Sequence, residues 1–118
     1  MSETNWNGFI EQLNGRMANL RKAMPAVARE FNLLAREAIA PGALDPKTKE
    51  LIALAIGIAA RCDGCLAYHA KAALKHGATR GEIVDTIGVA VYMGGGPSMI
   101  YGAEALDVFD TLAADRPA

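Results

Sequence analysis

Apolar residues recur at three- and four-residue spacing along the whole chain, and proline and glycine cut the pattern into pieces. That spacing lays one apolar stripe along a helix. No stretch alternates with a period of two as a half-buried strand does. The reading is an all-α chain of about six helices joined by short turns.

The first helix covers about residues 5 to 21, with Trp6, Phe9, Ile10, Leu13, Met17 and Leu20 as its stripe. A second begins near Pro25, carries Val27, Phe31, Leu34 and Ile39, and stops at Pro41-Gly42. The third has Asp45 as N-cap and Pro46 in its first turn. Its run from Leu51 to Ile56 is apolar on nearly every side, so burial all round is expected. A break at Cys62-Asp63-Gly64 precedes a fourth helix ending at His76-Gly77. Thr79 and Glu82 form a capping box for a fifth helix through Ile83, Val84, Ile87, Ala90 and Val91. Gly94-Gly95-Gly96-Pro97 interrupts, a last helix carries Met99, Ile100, Leu106, Phe109 and Leu112, and Ala113 to Ala118 reads as a frayed tail.

At 118 residues the chain is read as a single domain, 1–118, with no internal repeat or linker. Hydrophobic residues make up 52% and charged ones 21%, more apolar surface than so short a chain covers alone, so a homo-oligomer is expected. The net charge of −1 and scattered aromatics offer no nucleic-acid footprint. The polar amino end is unlike a signal peptide, and the run Leu51 to Ala60 is shorter than the ~20 residues a bilayer requires. A cytoplasmic protein that binds neither membrane nor nucleic acid is expected.

The only two cysteines, Cys62 and Cys65, are three residues apart, and His69 follows four residues after the second. On a helix Cys65 and His69 share a face. A helix beginning near Asp63 puts Cys65 in its first turn, where unpaired N–H groups and a neighbouring imidazole lower a thiol pKa from about 8.5. Cys62, just outside, is freer to meet a thiol or disulfide, so Cys65 attacks and Cys62 resolves. Glu50, in an apolar helix, needs a partner. It lies twelve residues before Cys62, about 18 Å along an unbroken helix, and reaches His69 only if the chain folds back. It then orients His69 and exchanges protons with it.

Glu50, eleven residues, Cys62, two residues, Cys65, three residues and His69 resemble the active-site signature of the carboxymuconolactone decarboxylase family, in its alkylhydroperoxidase-like (AhpD-like) branch. The resemblance runs from about Leu44 to Leu106 and includes Tyr92-Met93-Gly94-Gly95-Gly96 and Tyr101-Gly102-Ala103-Glu104-Ala105-Leu106. It implies an oligomeric helical bundle, a homo-trimer or homo-hexamer, that reduces peroxides at the expense of a dithiol or disulfide reductant protein. Cys65 is then peroxidatic, Cys62 resolving, and Glu50 and His69 a proton relay. The best-known peroxidase of the family carries a second histidine directly before the second cysteine and has two repeats; this chain has Gly64 there and one motif-bearing unit.

Cys62, Cys65, His69 and His76 also make a Cys₂His₂ set. However, His76 lies about 10.5 Å beyond His69 along a helix, against Zn–N bonds of about 2.0–2.1 Å, so no metal and no cofactor are expected. His76 reads instead as a helix-end cation and Tyr68 as packing beside the site. Glu50 has a surface alternative in Lys47 or Lys49. Two other functions stay open: a lactone decarboxylase-like enzyme using Glu50 and His69 as acid and base, and a redox sensor whose disulfide alters assembly.

Overall fold

The computed structural model describes residues 5–115, which form six α-helices and no strand. They are α1 (Trp6–Ala23), α2 (Pro25–Ile39), α3 (Pro46–Ala59), α4 (Asp63–Lys75), α5 (Arg80–Gly94) and α6 (Gly96–Ala114). The caps expected from the sequence are in place. Asp45 accepts the Thr48 N–H at 2.7 Å, and Thr79 and Glu82 exchange both bonds of the capping box, at 2.8 and 3.1 Å. Gly77 takes φ 88° after α4, and Gly95 takes φ 76° at the α5–α6 corner, a backbone region that disfavours any side chain.

Helices α3 and α6 pack on each other and on both α4 and α5, and α1 packs on α4 and α6. Their shared core holds Leu54, Ile58, Leu66, Ile83 and Val108, all fully buried, each worth about 1.5–3 kcal/mol when withdrawn from water. Trp6 closes one side of it, its Nε1 donating to Asp107 at 2.8 Å. No described helix is long and apolar enough to cross a membrane.

Three expectations are corrected. α3 is not buried all round: Ile52 and Ile56 are 45% and 63% exposed, because neighbours cover only the Leu54–Ile58 side. Among the described residues α2 touches only α1 and α3 and buries no residue, so Val27, Phe31 and Leu34 face outward. Ala113 and Ala114 continue α6 rather than fray, since Leu112 and Ala113 pack against the core; residues 116–118 lie outside the described region, as do residues 1–4.

Candidate active site

The turn from α3 to α4 builds the site. Arg61 adopts a left-handed φ of 58°, which turns the Cys62 N–H back to Gly57 O (3.0 Å) and the Arg61 N–H to Ile58 O (3.1 Å). These two bonds are a Schellman ending for α3. The sequence places the break at Cys62-Asp63-Gly64, where glycine signals it. The left-handed residue is instead Arg61, which carries no such signal. Cys62, released from α3, becomes the N-cap of α4 with extended backbone.

Cys62 and Cys65 are joined by a disulfide, with Cα atoms 5.2 Å apart. Both are half-buried. The Cys65 N–H donates to Cys62 Sγ at 3.1 Å, so the free donor of the first turn falls on the N-cap sulfur. That revises the expected electrostatics: the backbone donor serves Cys62, and His69 follows Cys65 one turn further along α4. Gly57 of α3 lies directly under Cys65, where an added Cβ would stand 2.8 Å from Cys65 Cβ. Sequence reading missed Gly57; its signal was a glycine inside an otherwise apolar helix.

Glu50 and His69 meet across the same two helices. Oε1 lies 2.7 Å from Nδ1, with the glutamate side chain 8% exposed and the imidazole 34%. A carboxylate only accepts, so the bond puts a proton on Nδ1 and leaves Nε2 of the neutral ring as the basic nitrogen. The surface alternatives for Glu50 are not taken. Lys47 pairs with Glu82 at 2.9 Å, and Lys49 donates to Ala40 O at 2.7 Å.

The surroundings follow. Tyr68 donates to Asn14 of α1 at 2.7 Å, tying α1 to α4 next to His69. Leu13 of α1 packs over Gly64, its Cδ2 3.1 Å from where a Cβ would stand, so α1 covers the position of the absent motif histidine. His76 is the exposed C-cap of α4, outside the cluster. Asp63, first in α4, has a buried Oδ1 without a hydrogen-bond partner among the described residues. Glu104 of α6 is held above the usual carboxylate range by burial and, after that, by the charge of Asp63.

The sequence model of the carboxymuconolactone decarboxylase family matches residues 25–108, which span this site and most of the bundle. The chain belongs to that family. A family member from Legionella pneumophila, solved in its apo form, superposes with a TM-score of 0.89 at 44% identity, covering 92% of this chain and 96% of the other. A family protein from Thermotoga maritima, described as a candidate for the antioxidative response, gives 0.72 at 30% identity over 76% of this chain and 93% of its own. A Cupriavidus necator protein recorded as uncharacterized is 35% identical over 105 residues, 89% of this chain and 93% of its own. Within the carboxymuconolactone decarboxylase family, this chain carries the Cys62–Cys65 disulfide and the Glu50–His69 pair on one pair of adjacent helices.

Proposed function

We propose that this carboxymuconolactone decarboxylase family member is a thiol-dependent peroxidase of the alkylhydroperoxidase-like kind. The observation that carries the reading is the 2.7 Å Glu50–His69 bond, placed one helical turn from a cysteine that is bonded to its CxxC partner. A disulfide, a base and a buried carboxylate behind the base are the parts that a thiol redox cycle requires.

In this cycle the Cys65 thiolate attacks one peroxide oxygen, the O–O bond breaks, and the departing alkoxide takes a proton delivered through His69. Cys65 is left as a sulfenic acid. The Cys62 sulfur attacks it, water leaves with the thiol proton, and the disulfide seen here forms. A dithiol protein then returns two electrons and two protons and becomes the disulfide. Glu50 holds the His69 tautomer and carries the compensating charge when the ring is protonated. A cycle of this kind fits a reducing, cytoplasmic setting.

The working form is a homo-oligomer. The chain presents 7515 Å² to solvent, against about 6,100 Å² for a monomer of 12.4 kDa. The excess, about 1,400 Å², is more than the ~800 Å² each partner buries in a standard interface. Val27, Phe31 and Leu34, on an α2 with no buried residue, border a 260 Å³ cavity and an adjoining groove, which we assign to a second copy of the chain. A trimer or hexamer follows from the family resemblance.

The test is stopped-flow oxidation of the reduced chain by an alkyl hydroperoxide, with free thiols counted before and after one equivalent. Loss of two thiols per chain, together with turnover when a dithiol is supplied, supports the cycle. Retention of both thiols would leave the acid–base reading of Glu50 and His69 in possession.

A further inference from the structure

α1 is fastened at one end and lightly seated at the other. Trp6 and Ile10 are its buried residues, Trp6 Nε1 donates to Asp107 at 2.8 Å, and Asn7 donates to Asp115 at 2.6 Å. From Glu11 to Ala23 no residue of α1 is buried. The seated stretch nevertheless reaches the cysteines. Leu13 lies over Gly64, which sits between them in the chain, and Asn14 Oδ1 accepts the Tyr68 hydroxyl at 2.7 Å, one residue from His69. α1 precedes residues 25–108, so this wall of the site stands outside the span that the family's sequence model matches.

The same stretch is poorly made as a helix. Asn14 and Gly15 are both weak helix formers, and Asn-Gly is an ordinary signal for a turn. Packing does not account for Gly15, because a Cβ built there meets nothing within 4 Å. Its φ is not positive, so alanine fits without strain. A glycine with room for a side chain follows directly on a residue held by one exposed hydrogen bond. Few buried contacts and an exposed bond mark the part of a structure that opens at least cost.

We infer that α1 is the gate of the Cys62–Cys65 disulfide and selects by size what reaches it. Closed, Leu13 and Asn14 wall the CxxC turn and hold back a protein-sized thiol. Local melting at Asn14-Gly15 frees the Tyr68 hydroxyl, lifts Leu13 from Gly64 and admits the dithiol of a partner protein. One thiolate of that partner attacks Cys62 Sγ, the Cys62–Cys65 bond breaks, and Cys65 leaves as a thiolate. The partner's second thiolate attacks the partner sulfur of the mixed disulfide, and Cys62 leaves in turn. Two electrons and two protons have then passed to this chain, and the partner departs as the disulfide. That a dithiol protein is the visitor rests on the redox reading of the site; the gating of the disulfide does not.

The experiment follows reduction of the disulfide in the oxidised full chain under native conditions, by acid quench, alkylation and mass spectrometry. Dithiothreitol serves as the small dithiol and reduced thioredoxin as the protein-sized one. Gly15→Ala, which stiffens the helix, should slow reduction by thioredoxin about fourfold. Tyr68→Phe, which keeps the ring and removes the bond to Asn14, should speed it about threefold, and adding Gly15→Ala should bring the rate back down. Dithiothreitol, small enough to pass the closed wall, should respond less to each change. Thr79→Ala, which weakens the α5 cap and leaves α1 alone, should move neither rate. Thioredoxin rates unmoved by Gly15→Ala and Tyr68→Phe, or raised as much by Thr79→Ala, overturn the gate. Equal responses to the two reductants overturn the selection by size, and a thioredoxin inert towards every variant overturns entry by a protein dithiol. No peroxide is used, so a chain inactive as a peroxidase still passes or fails these measurements.

Discussion

A methyl group on Gly57 would bring its carbon to 2.8 Å from Cys65 Cβ, and that Cβ is held by a disulfide and cannot step aside. Overpacking of this kind costs about 1–3 kcal/mol. Replacing a mid-helix glycine by alanine returns up to about 1 kcal/mol of helix propensity. Gly57→Ala should therefore destabilise the oxidised chain by roughly 1 kcal/mol, read from the midpoint of chemical denaturation. An unchanged or higher midpoint would mean that α4 shifts freely at Cys65. The two sulfurs have different surroundings, a backbone donor on Cys62 and His69 one helical turn beyond Cys65. Thiolate absorbance in Cys62→Ser and Cys65→Ser should give a midpoint below the free-cysteine value of about 8.5 in each. If the thiol left in Cys62→Ser titrates at or above that value, His69 does not activate Cys65. Glu50→Gln preserves shape and removes proton exchange. Peroxide reduction should slow about a hundredfold with an unchanged circular dichroism spectrum, and unaltered turnover would make Glu50 structural.

At the scale of the helices, the N-termini were the most legible part of the chain, because each cap is a local bargain between one side chain and one or two N–H groups. Asp45, Pro46, Thr79 and Glu82 declare their roles by residue type and spacing alone. Folding lowers the Glu82 carboxyl through the Thr79 N–H bond and then Lys47, and lowers Asp45 through the Thr48 N–H bond. Groups lowered on folding stabilise above their unfolded pKa and lose that contribution as pH falls through the folded value. Amide protection at Thr48 and Thr79 should accordingly weaken below the ordinary carboxylate range, and flat protection down to that pH would refute the linkage. Thr79→Ala should cost about 1 kcal/mol of stability in thermal unfolding. The α3–α4 turn was less legible. A left-handed arginine has no mark in sequence.

For the molecule as a whole, the six-helix outline and the meeting of Glu50 with His69 could be read in advance, whereas the outer faces could not. A stripe such as Val27, Phe31 and Leu34 looks the same in sequence whether it lies against its own core or against another chain. The assembly proposal therefore shifts its weight from the Leu51–Ala60 run, half covered in the fold, to α2. Phe31→Glu should lower the mass found by light scattering towards 12.4 kDa, with the helical content retained. A wild-type chain already at that mass would remove the oligomer.

Glu50, Gly57, Cys62, Cys65 and His69 all lie on one helical hairpin, α3 and α4, closed by the Arg61 turn. Their separations along the chain are short, and short-range contacts form early when a protein folds. The chemistry is thus a property of a local unit and waits on no distant strand or closing loop. A chain reopened at the α5–α6 corner by circular permutation keeps that unit whole. Its cysteines would find each other, and its glutamate its histidine, before the remaining helices had settled around them.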